Sequence, residues 1–176
     1  MSFFTSSDHV IEIIADLPNC SEAKMESARE RQAQLTKPPG SLGKLEDIAV
    51  WLAGWQGTEK PQINNGQCLV FAGNHGVVAK GVSPFPAEVT TQMVRNFEAG
   101  GAAINQLCRE AGLSLAVTPL QLNVPTGDIS EGMAMTPDEV IVAMNTGANA
   151  LDHSCDYLVV GEMGIGNTTA AAALSM

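Results

Sequence analysis

The chain is poor in positive charge: 9 Lys+Arg stand against 19 Asp+Glu in 176 residues, a formal net charge of −10. Nucleic acids are held by basic patches that neutralise phosphates, and no basic cluster offsets this excess, so no nucleic-acid partner is expected. Long apolar runs are also missing. Stretches such as Cys68 to Ala72 and Leu158 to Val160 fall far short of the roughly 20 residues a membrane-spanning helix needs, so no membrane partner is expected either. The opening MSFFTSSDH has neither the positive patch nor the apolar block of a secretory signal, and the expected compartment is the cytoplasm. The four cysteines, Cys20, Cys68, Cys108 and Cys155, form no CxxC pair and read as buried free thiols, not as a disulfide framework. His9, His153 and the acidic residues show no metal-ligand spacing, so neither a metal nor a cofactor is assigned. No internal repeat or low-complexity tract is present.

The most informative stretch is Leu158 to Thr169, LVVGEMGIGNTT, where an apolar run breaks into three glycines and an Asn-Thr-Thr. Gly161, Gly164 and Gly166 are expected to let the backbone turn with positive φ and keep side chains off a ligand. Thr168 and Thr169 lead into Ala170 to Leu174, so the loop is expected to end at a helix N-terminus whose unpaired N–H groups and dipole favour an anion. With so few cations in the chain, backbone amides are expected to hold most of any phosphate. Ala170 to Met176 is barely two helical turns with no closing Gly, Asn or Pro, and the chain is therefore expected to be a fragment.

Helical spacing and turn residues predict helices over 8–17 and 21–35, then a rigid TKPPGSLG turn in which Ser41 caps a helix from Leu42 to Gln56, ended by Gly57. That helix carries Leu45, Ile48, Ala49, Trp51, Leu52 and Trp55 on a broad apolar face. Gln67 to Ala72 reads as a strand buried on both faces, broken at Gly73-Asn74-His75-Gly76. A long helical stretch, 87–109, is interrupted by Gly100-Gly101. Strand 113–122, an irregular loop 125–135, helix 137–151 and strand 157–160 follow. Strand and helix alternate, which predicts an α/β fold: a three-layer, mostly parallel, Rossmann-like sheet with helices on both faces, an N-terminal helical arm, and an incomplete end. The expected division is 1–41 for the helical arm with its Pro/Gly turn and 42–176 for the N-terminal part of a truncated α/β catalytic domain. Ligands in such sheets lie beyond the carboxyl ends of the strands, where both glycine corners fall.

Each candidate has a plain alternative. GEMGIGNTT lacks the Gly-Lys-Ser/Thr ending of a P-loop, and its glycines are spaced GxxGxG instead of GxGxxG, so it is either a ligand loop of another kind or a well-capped tight turn. His75 in GNHG reads as a structural imidazole satisfied by nearby backbone. Ser83, Phe85, Pro86 and Gln92 suit an apolar wall with a polar handle for a flat aromatic ligand, and suit core packing equally. Glu88 and Gln92 read as a solvated edge, and Met133 and Met135 as gap fillers. Glu162 is either an electrostatic partner for positive charge developing on a ribose ring or a helix-start carboxylate.

Four blocks, LTKPPGSLGKLE at 35–46, FAGNHGVVAKGVSPFPAEVTTQMVRNF at 71–97, GGAAIN at 100–105 and GEMGIGNTTAAAAL at 161–174, closely resemble the nicotinate-nucleotide-dimethylbenzimidazole phosphoribosyltransferase family of cobalamin lower-ligand assembly. The resemblance covers nearly the whole chain and matches the N-terminal half of a family about twice as long. It implies a glycosyltransferase that moves the 5-phosphoribosyl group of nicotinate mononucleotide onto a nitrogen of 5,6-dimethylbenzimidazole, giving α-ribazole 5′-phosphate and nicotinate. It also implies a homodimer. Carried over, Ser83, Phe85, Pro86 and Gln92 resemble the benzimidazole pocket, and Met163, Gly164, Ile165, Gly166, Asn167 and Thr168 the phosphoribosyl loop. Glu162 falls beside the reaction centre in a supporting catalytic role. The family's base, a glutamate near its C-terminus, and a downstream lysine match no position here, and TGDISEGMAMT at 126–136 fits only loosely. The alternative is a catalytically incomplete module that binds an aromatic base or nucleotide without turnover.

Overall fold

A computed structural model describes residues 2–176. The chain divides into two compact units, one formed by residues up to Glu12 with Asn65–Met176, the other by Ile13–Asn64. Helix α1 (Ser7–Ala15) runs across the division and has no buried residue; Ile11 and Ile14 of its expected apolar face are exposed.

In the 13–64 unit, α2 (Glu22–Gln34) is capped by Ser21, whose hydroxyl accepts the Lys24 N–H, and packs on α3 (Lys44–Gln56). Their contact is made of small residues, Ala28 against Val50 and Ala53, with Met25 alongside. A Cβ on Gly54 would come within 2.7 Å of Met25 Cγ, so glycine sets the approach of the two helices. The broad apolar face expected of α3 is therefore only partly used: Leu45, Ile48, Trp51 and Trp55 are each more than half exposed. Ser41 does not cap α3. Gly43 occupies the cap position, and the Glu46 carboxylate takes both the Leu42 N–H (3.1 Å) and the Lys37 ammonium (2.7 Å). Those two interactions hold the Glu46 carboxyl below its ordinary range, Lys37 contributing most. Gly57 ends the helix at φ 65°, as its position predicts.

The other unit is α/β. β1 (Gly66–Ala72), β2 (Ser114–Pro119) and β3 (Tyr157–Met163) form a parallel sheet in the order β2-β1-β3. β1 is the central strand and six of its seven residues are buried, which explains its unbroken apolar run. Burying a Val or Leu side chain contributes about 1.5–3 kcal/mol, so this strand anchors the unit. α4 (Glu88–Glu98) and α5 (Ala103–Ala111) cover one face, where Cys68, Val70 and Cys108 meet Phe97, Ile104, Leu115, Val117, Val159 and Met163. α6 (Pro137–Ala150) lies on the other. The Gln67 side chain donates to Ala150 O and accepts from Asp152 N, and a Cβ on Gly147 would stand 4.0 Å from the Phe71 ring. The three-layer expectation holds.

The 87–109 stretch is interrupted at Gly100-Gly101 as expected, giving two helices, while other local details differ from the sequence reading. Gly100 (φ 77°) turns the chain, and Asn105 accepts the Ala102 N–H while donating to Phe97 O, joining the end of one helix to the start of the next. The strand expected over 113–122 stops at Pro119. β3 continues three residues beyond Val160, because Gly161, Glu162 and Met163 pair with Val70, Phe71 and Ala72. Gly161 and Gly164 keep negative φ, the first within the strand, and only Gly166 of the three turns left-handed, at φ 88°. Helix α7 (Asn167–Leu174) starts one residue before Thr168. Cys68 and Cys108 are buried, whereas Cys20 and Cys155 are only half-buried; all four thiols are free. Met133, expected to fill a gap, is 84% exposed. α6 opens with Pro137 in the first turn, as its sequence predicts, and the structure adds a reciprocal cap between Thr136 and Glu139. No helix among the described residues is long and apolar enough to cross a membrane.

Candidate functional site

Parallel pairing places the carboxyl ends of β1 and β3 side by side, and the ladder continues one residue further through the Gly73 N–H donating to Met163 O at 3.0 Å. The two glycine corners, Gly73-Asn74-His75-Gly76 and Gly164-Ile165-Gly166, are thus neighbours although about ninety residues separate them in sequence. His75 reaches across with Nε2 to hydrogen-bond Asn167 Oδ1. The backbone-satisfied imidazole expected from the sequence is therefore corrected: its partner is the first residue of α7. A Cβ on Gly164 would overlap both the Gly73 carbonyl and the Asn167 side chain, so glycine is required there by proximity instead of by φ.

A third connection comes from α4. Thr90 is completely buried, and its Oγ1 accepts the Ile165 N–H at 3.1 Å. The loop after β2 closes the same end of the sheet. Leu120 N donates to Ala72 O, Thr126 N to Asn74 O and Gly76 N to Thr126 O, while the Asn74 side chain donates to Leu122 O. Lys80, at the end of the 3-10 turn Gly76–Lys80, pairs with Asp128 and Glu131 in that loop. Asp128 is held below its ordinary value, first by the hydroxyl and amide of Ser130 and then by Lys80.

The predicted loop residues come together. Ile165, Gly166 and Asn167 are half-buried and Thr168 is exposed on the first turn of α7. The Gly164 carbonyl accepts the Asn167 N–H at 3.1 Å, whereas the N–H groups of Gly166 and Thr168 have no protein acceptor among the described residues. No acidic residue sits in the first turn of α7, where a like charge would oppose an anion at the helix's positive end. Glu162 belongs to β3, opposite Phe71, with its side chain exposed. Met163 turns inward and packs on the core under the sheet. Ser83, Phe85 and Pro86 lie between the 3-10 turn and α4, with Ser83 Oγ accepting the Phe85 N–H and Phe85 60% exposed. Gln92 is exposed on α4. None of these four side chains is hydrogen-bonded to the 164–168 loop among the described residues. An open cavity of about 720 Å³ runs along α6 past Thr118, Asn145 and Asn149, and none of the predicted site residues lines it.

Sequence reasoning passed over Thr90 and misjudged His75. Thr90 falls four residues before Val94 on the buried stripe of α4, and a polar residue on a buried stripe requires a partner, which is the signal that marks it.

The family model described as a phosphoribosyltransferase matches residues 17–176. Curated proteins named nicotinate-nucleotide-dimethylbenzimidazole phosphoribosyltransferase match over almost the same span. The chain belongs to this phosphoribosyltransferase family. Its relative from Ruegeria pomeroyi is 56% identical over 164 residues, which are 93% of this chain and 49% of the relative. The one from Rhodobacter capsulatus is 56% identical over 166 residues, 94% of this chain and 50% of the relative. A crystal structure of the enzyme of that name from Thermus thermophilus superposes with a TM-score of 0.81 at 42% identity, covering 88% of this chain and 52% of the other. The chain therefore spans about half the length of the phosphoribosyltransferases it matches.

Proposed function

We propose that this chain carries the phosphoribosyl loop and the aromatic-base segment of an enzyme that transfers the 5-phosphoribosyl group of nicotinate mononucleotide to 5,6-dimethylbenzimidazole. The products are α-ribazole 5′-phosphate and nicotinate, for the nucleotide loop of cobalamin. The observation that carries the reading is the junction of the two glycine corners at the carboxyl end of a parallel sheet, made by Gly73 to Met163 and His75 to Asn167. Ligands of open α/β sheets bind beyond that end.

In this reading the phosphate rests on the N–H groups of Gly166 and Thr168 at the start of α7. The C–N bond to the pyridinium breaks, and nicotinate leaves with the electron pair, so no acid is needed on that side. A nitrogen of the benzimidazole attacks C1′ from the opposite face, which turns a β-glycoside into an α-glycoside, and its other nitrogen gives up a proton to a carboxylate base. That base comes from outside residues 1–176. Positive charge grows on the ribose ring in the transition state, and the Glu162 carboxylate stabilises it. Ser83, Phe85, Pro86 and Gln92 hold the base between an aromatic face and polar groups. The enzyme works in the cytoplasm as a homodimer, and residues 42–176 form the N-terminal part of its catalytic domain.

The test is chromatographic: the intact protein is incubated with nicotinate mononucleotide, with and without 5,6-dimethylbenzimidazole. Release of nicotinate that depends on the base supports transfer. Binding of either compound with no nicotinate released contradicts it and leaves a module that binds without turnover.

A further inference from the structure

We propose that Thr90 is a positioning residue for the phosphate-binding loop: it fixes the Gly164–Ile165 peptide so that the N–H groups of Gly166 and Thr168 stand ready for the anion. This rests on the phosphoribosyltransferase reading and adds to it a residue outside the loop. Thr90 is 0% exposed on the face of α4 that packs inward, a place where a hydroxyl is unfavourable unless it is hydrogen-bonded. Its bond goes to a residue 75 positions away, the Ile165 N–H at 3.1 Å. The carbonyl of that same peptide, on Gly164, accepts the Asn167 N–H at 3.1 Å. One peptide group is thus held at both ends. It immediately precedes Gly166, the left-handed residue at which the chain turns into α7.

The consequence is a division of labour among amides. Ile165 N–H is committed to the protein, whereas the Gly166 and Thr168 N–H groups have no protein acceptor among the described residues. A loop already shaped before binding loses less conformational freedom when the ligand arrives, so an acceptor at position 90 raises affinity without touching the ligand. His75 secures the next residue by holding the Asn167 side chain from the β1 corner. Thr90 also sits two residues before Gln92, so the helix that carries part of the base segment is the one that anchors the phosphoribosyl loop.

Thr90→Val keeps the shape and removes the acceptor. In the intact enzyme the KM for nicotinate mononucleotide is expected to rise about tenfold, the equivalent of one neutral hydrogen bond, with the KM for the benzimidazole unchanged, and Thr90→Ser is expected to restore it. A merely structural threonine would lower the amount of folded enzyme, and with it the apparent kcat, while leaving both KM values alone; that result overturns the proposal. A measurement without any variant covers the case in which Thr90→Val does not fold. By residue-resolved amide exchange in the unliganded protein, Ile165 is expected to be protected and Gly166 and Thr168 to exchange fast, with nicotinate mononucleotide slowing only the latter two. Fast exchange at Ile165 before ligand addition overturns the proposal while leaving the transfer reading intact. A wild-type protein that transfers no phosphoribosyl group overturns both.

Discussion

Replacing Gly164 with alanine tests whether the two strand-end corners are packed as tightly as the geometry requires. The added methyl would overlap the Gly73 carbonyl and the Asn167 amide. The first lies in a corner tied down on both sides, by Gly73 N–H to Met163 O at 3.0 Å and by Thr126 N–H to Asn74 O at 3.1 Å, and the second can move only by leaving His75. Overpacking costs about 1–3 kcal/mol, and losing the His75–Asn167 bond adds about 1, so Gly164→Ala is expected to destabilise the 65–176 unit by about 2–4 kcal/mol. Gly166→Ala forces a β-carbon into φ 88° and to 2.9 Å from Val78 Cγ2, for about 1–2 kcal/mol from the left-handed backbone alone. Gly161→Ala is the control. Its Cβ would meet Val70 Cγ2 at 3.4 Å, ordinary contact, and the expected change is within about 0.5 kcal/mol. The assay is urea unfolding of the intact protein followed by circular dichroism, since Trp51 and Trp55 both lie in the 13–64 unit and report on it instead. At an m value of about 2 kcal/mol per molar, Gly164→Ala is expected to lower the midpoint by about 1–2 M. Equal midpoints for the Gly161 and Gly164 variants would refute the packing argument.

Glu162→Gln is expected to lower kcat about 100-fold, the scale of one preorganised electrostatic contact, while the dissociation constant for nicotinate mononucleotide stays within about twofold; unchanged turnover would remove Glu162 from the reaction. Burial, and then the neighbouring Cys108, push the Cys68 thiol up to about 11, so at pH 8 a disulfide reagent should label Cys20 and Cys155 in the native protein and reach Cys68 and Cys108 only after denaturant, four quick thiols being the contrary result. Asp128 is depressed below its ordinary 3.8, so its contribution is complete above that value and lost as pH falls through the lower folded value. Asp128→Asn should therefore show a smaller drop in urea midpoint between pH 5 and pH 3 than the parent protein, and an identical drop would contradict the assignment.

The elements legible in the sequence were those with local causes. β1 announced itself as a continuous apolar run because it is buried on both faces, and α6 through Pro137 at its first turn, because a helix start is settled within a few residues. Boundaries set by distant partners were not legible. Glu162 and Met163 look like loop residues after Gly161, and only their pairing with Phe71 and Ala72 makes them strand. Ser41 was the natural cap by composition, yet Gly43 takes the cap position with no side-chain cap bond, and the Glu46 carboxylate reaches back past it to Leu42 N–H and Lys37. At the site the glycine loop was readable as a pattern. Its fastening was not, since Thr90 and His75 act on Ile165 and Asn167 across 75 and 92 residues of sequence. Gly164 illustrates the same limit, being required by a carbonyl 91 residues away and not by its own φ.

The central claim is that the corners after β1 and β3 form one site in which a phosphoribosyl group meets an aromatic base. A crystal structure of the intact protein with nicotinate mononucleotide and a benzimidazole tests it most directly. The account predicts phosphate oxygens within hydrogen-bond reach of the Gly166 and Thr168 N–H groups, the ribose beside Glu162 and the benzimidazole against Phe85 and Gln92. Phosphate bound elsewhere, with the 164–168 amides facing solvent, would contradict it.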